Sequence, residues 1–338
     1  MSVDLDWDNL GFEYRDVACH IKYTWKDGAW DAGELVEDPY VKIHIAATSI
    51  HYGQAAFEGL KAFRGVDDKV RIFRPEENAQ RMQKSSERVF MANISEEMFT
   101  DAVDRVVTAN TDYIPPYGTD GALYIRPVLF GTGPRIGIQP ADEYTFIVLV
   151  TPVGAYYKGG LNAVDAVIIE GYDRAASEGV GSVKLAGNYA ASLMPASIAK
   201  AQGYPINLYL DSKEKRFIDE FGTSNFIALK GNSYVTPCSP SVLPSITNKS
   251  LMTLAEDMGM TVERRPVEVN ELAEMDQVAA CGTAVVMTPI NAVMYKSELH
   301  KTSGEGIDER LQALYDRMTG IQYGREEDKF NWCKTLDI

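Results

Sequence analysis

An α+β fold in two domains is what this sequence predicts, and three observations carry the prediction. Its 338 residues suffice for two domains of ordinary size, each burying its own core. Residues before Pro75 alternate strand and turn signals as an antiparallel sheet does, whereas the second half alternates helical with strand segments. Between Pro152 and Val164 runs Val-Gly-Ala-Tyr-Tyr-Lys-Gly-Gly-Leu-Asn-Ala, a glycine-rich stretch followed by a fresh strand signal. The expected division is a small N-terminal α+β domain over 1–152, a connection over 153–164 and a larger domain over 165–338, with the active site in the interdomain cleft.

The elements follow in chain order. Val17–Thr24, Val41–Ala46, Leu60–Phe63 and Val70–Phe73 read as strands, with turns at Lys26-Asp27-Gly28 and over Arg64–Asp68. Arg74-Pro75 opens a helix in which Ala79, Met82 and Val89 share a face, and Glu76 and Glu77 occupy the first turn, where the helix dipole favours acids. A second helix is predicted over Glu96–Ala109, and buried strands over Leu123–Phe130 and Thr145–Pro152. In the second half, strands are predicted at Ala166–Glu170, Asn207–Leu210, Phe226–Leu229, Thr261–Pro266 and Ala284–Met287. Helices are predicted over Tyr189–Gln202, Thr247–Met258, Glu271–Ala273 and Gly306–Thr319.

Composition narrows the class. With 45% hydrophobic and 24% charged residues the chain reads as a globular protein, and no apolar run approaches the roughly 20 residues that cross a bilayer. Met1–Asn9 is acidic and lacks a basic start with an apolar core behind it, so cytoplasmic residence is expected. The formal charge of −15 argues against nucleic acid or an anionic membrane as partner. Cys19, Cys238, Cys281 and Cys333 form no C-x-x-C pair, and His20, His44, His51 and His300 no H-x-x-x-H spacing, so no metal site is expected.

The most informative stretch is Gly181-Ser182-Val183-Lys184-Leu185-Ala186-Gly187-Asn188-Tyr189. A lysine amine forms a Schiff base with an aldehyde only when part of it is uncharged, and small apolar neighbours favour that state by desolvation. Downstream lies Asp219-Glu220-Phe221-Gly222-Thr223-Ser224-Asn225, an acid of the kind that keeps a cofactor's pyridine nitrogen protonated. Leu243-Pro244-Ser245-Ile246-Thr247-Asn248 opens a predicted helix whose N–H groups suit a phosphate, with Thr247 a good N-cap. Cys281-Gly282-Thr283-Ala284 completes the series.

Together, in this order, the motifs resemble the branched-chain amino acid aminotransferases, a family of fold-type-IV pyridoxal-phosphate enzymes with a D-amino acid aminotransferase-like architecture. The resemblance runs from about Tyr40 to Glu327. It implies pyridoxal 5'-phosphate as cofactor, Lys184 as the catalytic amine and Glu220 as partner of the ring nitrogen. Tyr189 would bond the ring's phenolate oxygen. Arg81, Thr223, Ile246, Thr247 and Thr283 would hold the phosphate end. For substrates it implies Tyr52 and Phe57, Tyr124 and Arg126 of Leu-Tyr-Ile-Arg-Pro, and Tyr156 as pocket wall, with Gly282 and Ala284 offering backbone N–H groups to the substrate carboxylate. The loop 131–138 resembles one that reaches a neighbouring subunit's site, so Ile136 and Ile138 would complete the pocket of a homodimer.

The implied reaction is ping-pong transamination of leucine, isoleucine and valine with 2-oxoglutarate, glutamate being the reverse donor. Aromatic walls select apolar side chains by buried area, and Arg126 is the expected partner for the second carboxylate of glutamate. D-amino acid aminotransferase and aminodeoxychorismate lyase share the lysine and the glutamate; Phe57-Glu58-Gly59-Leu60-Lys61-Ala62-Phe63 favours the branched-chain family. The redox C-x-x-C pair of mammalian members is missing here, with Val285, Val286 and Met287 after the turn. A dinucleotide site at Gly179-Val180-Gly181 fails because lysine replaces the third glycine of G-x-G-x-x-G.

Overall fold

A computed structural model describes residues 5–154, 160–302, 304 and 306–338. Its first elements are β1 (His20–Lys26), β2 (Ala29–Trp30), β3 (Glu34–Val36), α1 (Thr48–Tyr52), β4 (Ala55–Phe57), β5 (Leu60–Arg64), β6 (Val70–Phe73), α2 (Pro75–Arg88), α3 (Glu96–Ala109), β7 (Ala122–Gly131) and β8 (Tyr144–Val153). There follow β9 (Val164–Ile168), α4 (Ala186–Ala191), α5 (Leu193–Ala201), β10 (Ile206–Leu210), β11 (Ile218–Phe221), β12 (Asn225–Lys230) and β13 (Ser233–Pro237). The remainder is α6 (Ile246–Asp257), β14 (Thr261–Arg265), β15 (Gln277–Gly282), β16 (Val286–Tyr295), β17 (Glu298–Lys301), α7 (Glu309–Gln322) and β18 (Cys333–Leu336). The chain divides into two compact units, one of Met1–Tyr156, Val183–Gly187 and Gly320–Ile338, the other of Tyr157–Ser182 and Asn188–Thr319. The lysine-bearing segment and the C-terminal strand therefore group with the first unit, although the sequence suggested a single later block over 165–338. Part of the expected connection, including Tyr156, lies outside the described residues.

In the first unit a sheet runs β18-β6-β5-β7-β8-β1-β2, with β3 on β1 and β4 on β7. The β1–β2 hairpin turns through Asp27 and Gly28, both at positive φ (53° and 85°), the backbone that an Asp-Gly pair supplies at low cost. α3 buries Phe99, Ala102, Val103, Val106 and Val107, a one-sided 3.6-residue stripe packed on β1 and β8, with Phe99 stacked on Phe146 at 6.1 Å. Its Ser95 cap accepts from Met98 N at 3.1 Å, and Glu96 and Glu97 follow in the first turn. The strand expected over Val41–Ala46 does not form. Its apolar alternation faces no partner strand, and Val41 and Ile45 are exposed.

In the second unit β11-β10-β9-β16-β15-β12 closes on itself because β11 also pairs with β12, giving a six-stranded barrel extended by β13 and β14 and flanked by β17 on β16. Every barrel strand contributes to one core, through Ala166, Leu208, Phe221, Phe226, Val278 and Ile290 among others. Closure falls on the pair Glu220↔Asn225. The helix expected from Thr247 starts at Ile246, because Ser245 rather than Thr247 caps it by accepting from Asn248 N at 3.2 Å. The expected Tyr189–Gln202 helix is broken at Ser192 into α4 and α5, and the short one near Glu271 is a 3-10 turn over Val269–Glu274.

Phe99 is fully buried, so Phe99→Ala leaves a cavity between α3 and the sheet and is expected to lower the unfolding free energy by about 3–5 kcal/mol. Urea unfolding checks this, and a change under about 1 kcal/mol would show that α3 does not anchor the unit.

Candidate active site

Lys184 is held in the first unit by its own backbone. Its N–H donates to Ser85 Oγ on α2 at 2.9 Å, its carbonyl accepts from Phe57 N at 3.1 Å, and Leu185 bridges to Ala56 of β4. The half-buried lysine places Nζ 4.7 Å from the centroid of the Phe57 ring. Ser85 in turn donates to the Arg81 carbonyl at 2.9 Å, so α2 fixes both residues.

Arg81 enters a buried pair. Its Nε and Nη2 reach Glu58 Oε1 and Oε2, each at 2.7 Å, and Asn78 donates to the same carboxylate at 2.7 Å. Glu58 is fully buried, so its charge requires such a bidentate partner. Sequence reasoning passed over Glu58, although an acid inside the apolar run Ala55–Leu60 was a visible signal.

β5 and β7 put Lys61 opposite Tyr124 and thereby on one sheet face with Tyr124 and Arg126. The Arg126 guanidinium lies 4.8 Å from the Phe57 ring centroid and 5.2 Å from that of Tyr124, and donates to Tyr124 OH at 3.0 Å. Its Nε is buried and has no hydrogen-bond partner among the described residues. A Cβ at Gly59 would lie where the Tyr124 hydroxyl sits, so any other residue there would displace that hydroxyl. Lys61 was not singled out from sequence; burial pushes its amine down to about 8.

Tyr52, at the end of α1, donates to the Ile136 carbonyl, and Arg135 N donates to the Ala46 carbonyl at 2.9 Å, which ties the 131–138 loop to α1. The Ile136 and Ile138 side chains stand 74% and 87% exposed.

The second unit carries the acid. Glu220 is 3% exposed; its Oε1 lies 2.7 Å from Arg174 Nη2 in an ion pair and accepts from Leu243 N at 2.9 Å. Its Oε2 accepts from Asn225 Nδ2 at 2.8 Å. Oε2 has about two acceptor positions and Asn225 fills one, so one stays open on that oxygen. Burial pushes the Glu220 carboxyl up to about 7, against the lowering effects of Arg174, Leu243 N–H and Asn225. Arg174 also donates to the carbonyls of Gly181 and Ser241, and Gly181 lacks a side chain where a Cβ would strike that Ser241 carbonyl.

α6 presents the N–H groups of Ile246 and Thr247 with no acceptor recorded among the described residues, while both side chains are buried. Such a pair of donors at a helix N-terminus is an anion seat. The β15–β16 turn over Thr283–Val285 follows Gly282, which lies beside Thr223 and Ser224. Thr223 is exposed, Thr283 and Ala284 are half-buried, and half-buried Tyr189 lies on α4. Within this unit the structure thus groups Glu220, Thr223, Gly282 and the α6 terminus, and adds Arg174 and Asn225 as the carboxylate's holders.

The high Glu220 pKa has a defined consequence for the cofactor-free protein. The folded carboxyl binds its proton more tightly than the unfolded one at 4.5, so its contribution to stability is present below pH 4.5 and is lost as pH rises through about 7. The unfolding free energy of the natural protein relative to Glu220→Gln is expected to fall over that window, as urea titrations at several pH values would read; a flat difference refutes the burial argument.

The family described as amino-transferase class IV matches residues 55–293. Branched-chain-amino-acid aminotransferase of Haemophilus influenzae is 43% identical over 342 residues, covering 99% of each chain. The crystal structure of the Escherichia coli branched-chain amino acid aminotransferase superposes with a TM-score of 0.78 at 27% identity, covering 92% of this chain and 98% of that one. The Thermobaculum terrenum enzyme of the same name, solved in its PLP-form, shares the fold with a TM-score of 0.79 at 21% identity, covering 96% and 100%. On a match that spans most of its length and a relative aligned almost end to end, the chain belongs to the class IV amino-transferases, within the branched-chain amino acid aminotransferase family.

Proposed function

We propose that this chain transfers the amino group of leucine, isoleucine or valine to 2-oxoglutarate by a ping-pong reaction in the cytoplasm. Pyridoxal 5'-phosphate, the cofactor of class IV amino-transferases, supplies an aldehyde that takes up amines and a ring that withdraws electrons from the substrate α-carbon. The observation that carries the reading is the Glu220 carboxylate. It is buried, paired with the Arg174 guanidinium, hydrogen-bonded by Leu243 N and Asn225, and left with an open acceptor position on Oε2 and a raised pKa, which is the situation a protonated ring nitrogen would relieve. The open N–H groups of Ile246 and Thr247 fit a phosphate in the same unit, with Thr223 and Thr283 as hydroxyl donors.

Each residue then has its own task. Lys184 would hold the cofactor through its amine in the resting enzyme and, once the substrate amine has taken its place, its freed Nζ would carry the proton to and from the substrate α-carbon. Arg81 neutralises phosphate charge while Glu58 keeps its guanidinium oriented. Glu220 would hold the proton of the ring nitrogen, and Tyr189 would donate to the phenolate oxygen. Phe57, Tyr52 and Tyr124 bound an apolar surface on which each additional buried methylene contributes about 0.8 kcal/mol, the basis for preferring branched aliphatic side chains. Arg126, half-buried and without an acidic partner among the described residues, receives the second carboxylate when glutamate or 2-oxoglutarate binds. Backbone N–H groups at Gly282 and Ala284 take the carboxylate common to all substrates.

Two exposed isoleucines, Ile136 and Ile138, on a loop tethered to α1 support a homodimer in which this loop reaches the partner's site. Large apolar side chains so exposed gain by burial against a second copy.

Two measurements test these assignments. Borohydride treatment of the cofactor-loaded enzyme is expected to leave a pyridoxyl group on Lys184, found by peptide mass spectrometry, and Lys184→Ala is expected to lose at least about 1000-fold in turnover with leucine. Turnover retained in that variant overturns the lysine assignment. Mixing Lys184→Ala subunits with subunits bearing Ile136→Asp and Ile138→Asp is expected to restore activity that neither has alone, because a mixed dimer regains one complete site. Absence of recovery despite demonstrated mixed dimers overturns the shared pocket.

A further inference from the structure

Behind the Glu220 carboxylate runs a line of buried side chains to which the reaction assigns no task. Tyr234 OH on β13 donates to Asn248 Oδ1 at 2.7 Å. Asn248 Nδ2 donates to Asn225 Oδ1 at 3.1 Å and to Thr236 Oγ1 at 2.9 Å. Asn225 Nδ2 donates to Glu220 Oε2 at 2.8 Å and to the Leu243 carbonyl at 3.0 Å. Asn225, Tyr234, Thr236 and Asn248 are all buried.

The polarity of this line is fixed by its ends. Glu220 and the Leu243 carbonyl only accept, so the Asn225 amide nitrogen faces them and its oxygen faces Asn248. Thr236 spends its hydroxyl proton on the Phe226 carbonyl at 2.8 Å and therefore accepts from Asn248. That leaves the Asn248 oxygen for the Tyr234 hydroxyl. Every bond along the line thus points its positive end towards the carboxylate, an arrangement in which each bond strengthens the next.

Asn248 also belongs to the first turn of α6. Its backbone N–H is capped by Ser245, immediately after the two open N–H groups of Ile246 and Thr247. One residue therefore joins the anion seat to the ring-nitrogen acceptor. The charged and titratable groups around Glu220 are Arg174, its strand neighbour Asp219 and the Cys281 thiol, with Tyr234 beyond Cys281; of these, Tyr234 reaches α6, through the bond to Asn248.

We propose that Asn248 is a positioning residue: acting through Asn225 and backed by Tyr234, it holds the free acceptor position of Glu220 in register with the first turn of α6, so that ring nitrogen and phosphate of one cofactor molecule are met together. The proposal rests on the cofactor assignment made above. It concerns registration, so the joined ligand suffers more than its parts when the line is cut.

The test uses the cofactor-free full-length protein and its Asn248→Ala and Tyr234→Phe variants. Dissociation constants are measured for pyridoxal 5'-phosphate, for pyridoxal and for inorganic phosphate, and the Glu220 carboxyl is titrated by carbon-13 NMR. Asn248→Ala is expected to weaken pyridoxal 5'-phosphate by a factor larger than the product of its effects on pyridoxal and phosphate. Tyr234→Phe, which removes one hydroxyl without changing the fold, is expected to raise the Glu220 midpoint and to weaken pyridoxal about 2- to 10-fold while leaving phosphate unchanged. Should Asn248→Ala fail to fold, Tyr234→Phe decides alone. An unmoved Glu220 midpoint in Tyr234→Phe, or an Asn248→Ala loss no greater than that for phosphate alone, refutes the proposal. Failure of the natural protein to bind pyridoxal 5'-phosphate would instead refute the cofactor assignment itself.

Discussion

The Glu220 carboxylate is the constraint around which the second unit is organised. A buried anion costs several kcal/mol unless other groups replace its water, and one cation and two hydrogen-bond donors from three different parts of the chain converge on this one. The Leu243 N–H comes from the approach to α6, Asn225 from β12 and Arg174 from the segment after β9. The barrel's closing pair, Glu220↔Asn225, is itself one of these contacts, so strand register and site geometry are a single specification. A slip of one residue in β11 would open the barrel and turn the acid to the other face.

Lysine and acid are supported in different ways. Lys184 is positioned through its main chain, by Ser85 and Phe57, so its anchor does not depend on what the proposed catalytic amine bonds to. Glu220 is positioned through its side chain and can change little. That contrast matches a group that moves protons and a group that holds one.

Much of this was readable in the sequence. The helix Glu96–Ala109 and the strand Val70–Phe73 are found at their expected bounds because local signals agree there: a serine cap, acids in the first turn, a clean apolar stripe or alternation. Val41–Ala46 carries an equally good alternation and is not a strand, because alternation states only that one face is apolar, and pairing depends on what lies alongside. The reactive ends of the site, Lys184, Glu220 and the Ile246-Thr247 pair, stood out by their motifs. Their supports did not. Asn248, Tyr234 and Arg174 acquire meaning only from neighbours distant along the chain, and neutral amides and phenols leave no periodic trace. Thr247 was the more obvious cap by residue type, yet Ser245 takes the role and so leaves the Thr247 N–H open to a ligand.

β18 lies against β6, with Cys333 opposite Phe73. Ribosomes deliver the chain in one direction, so β6 emerges long before its outer neighbour has been translated. Throughout that interval the strand presents a row of unsatisfied amides, open to any extended peptide nearby. The nascent first unit thus carries an open strand edge at β6 until residues 333–336 arrive to cover it.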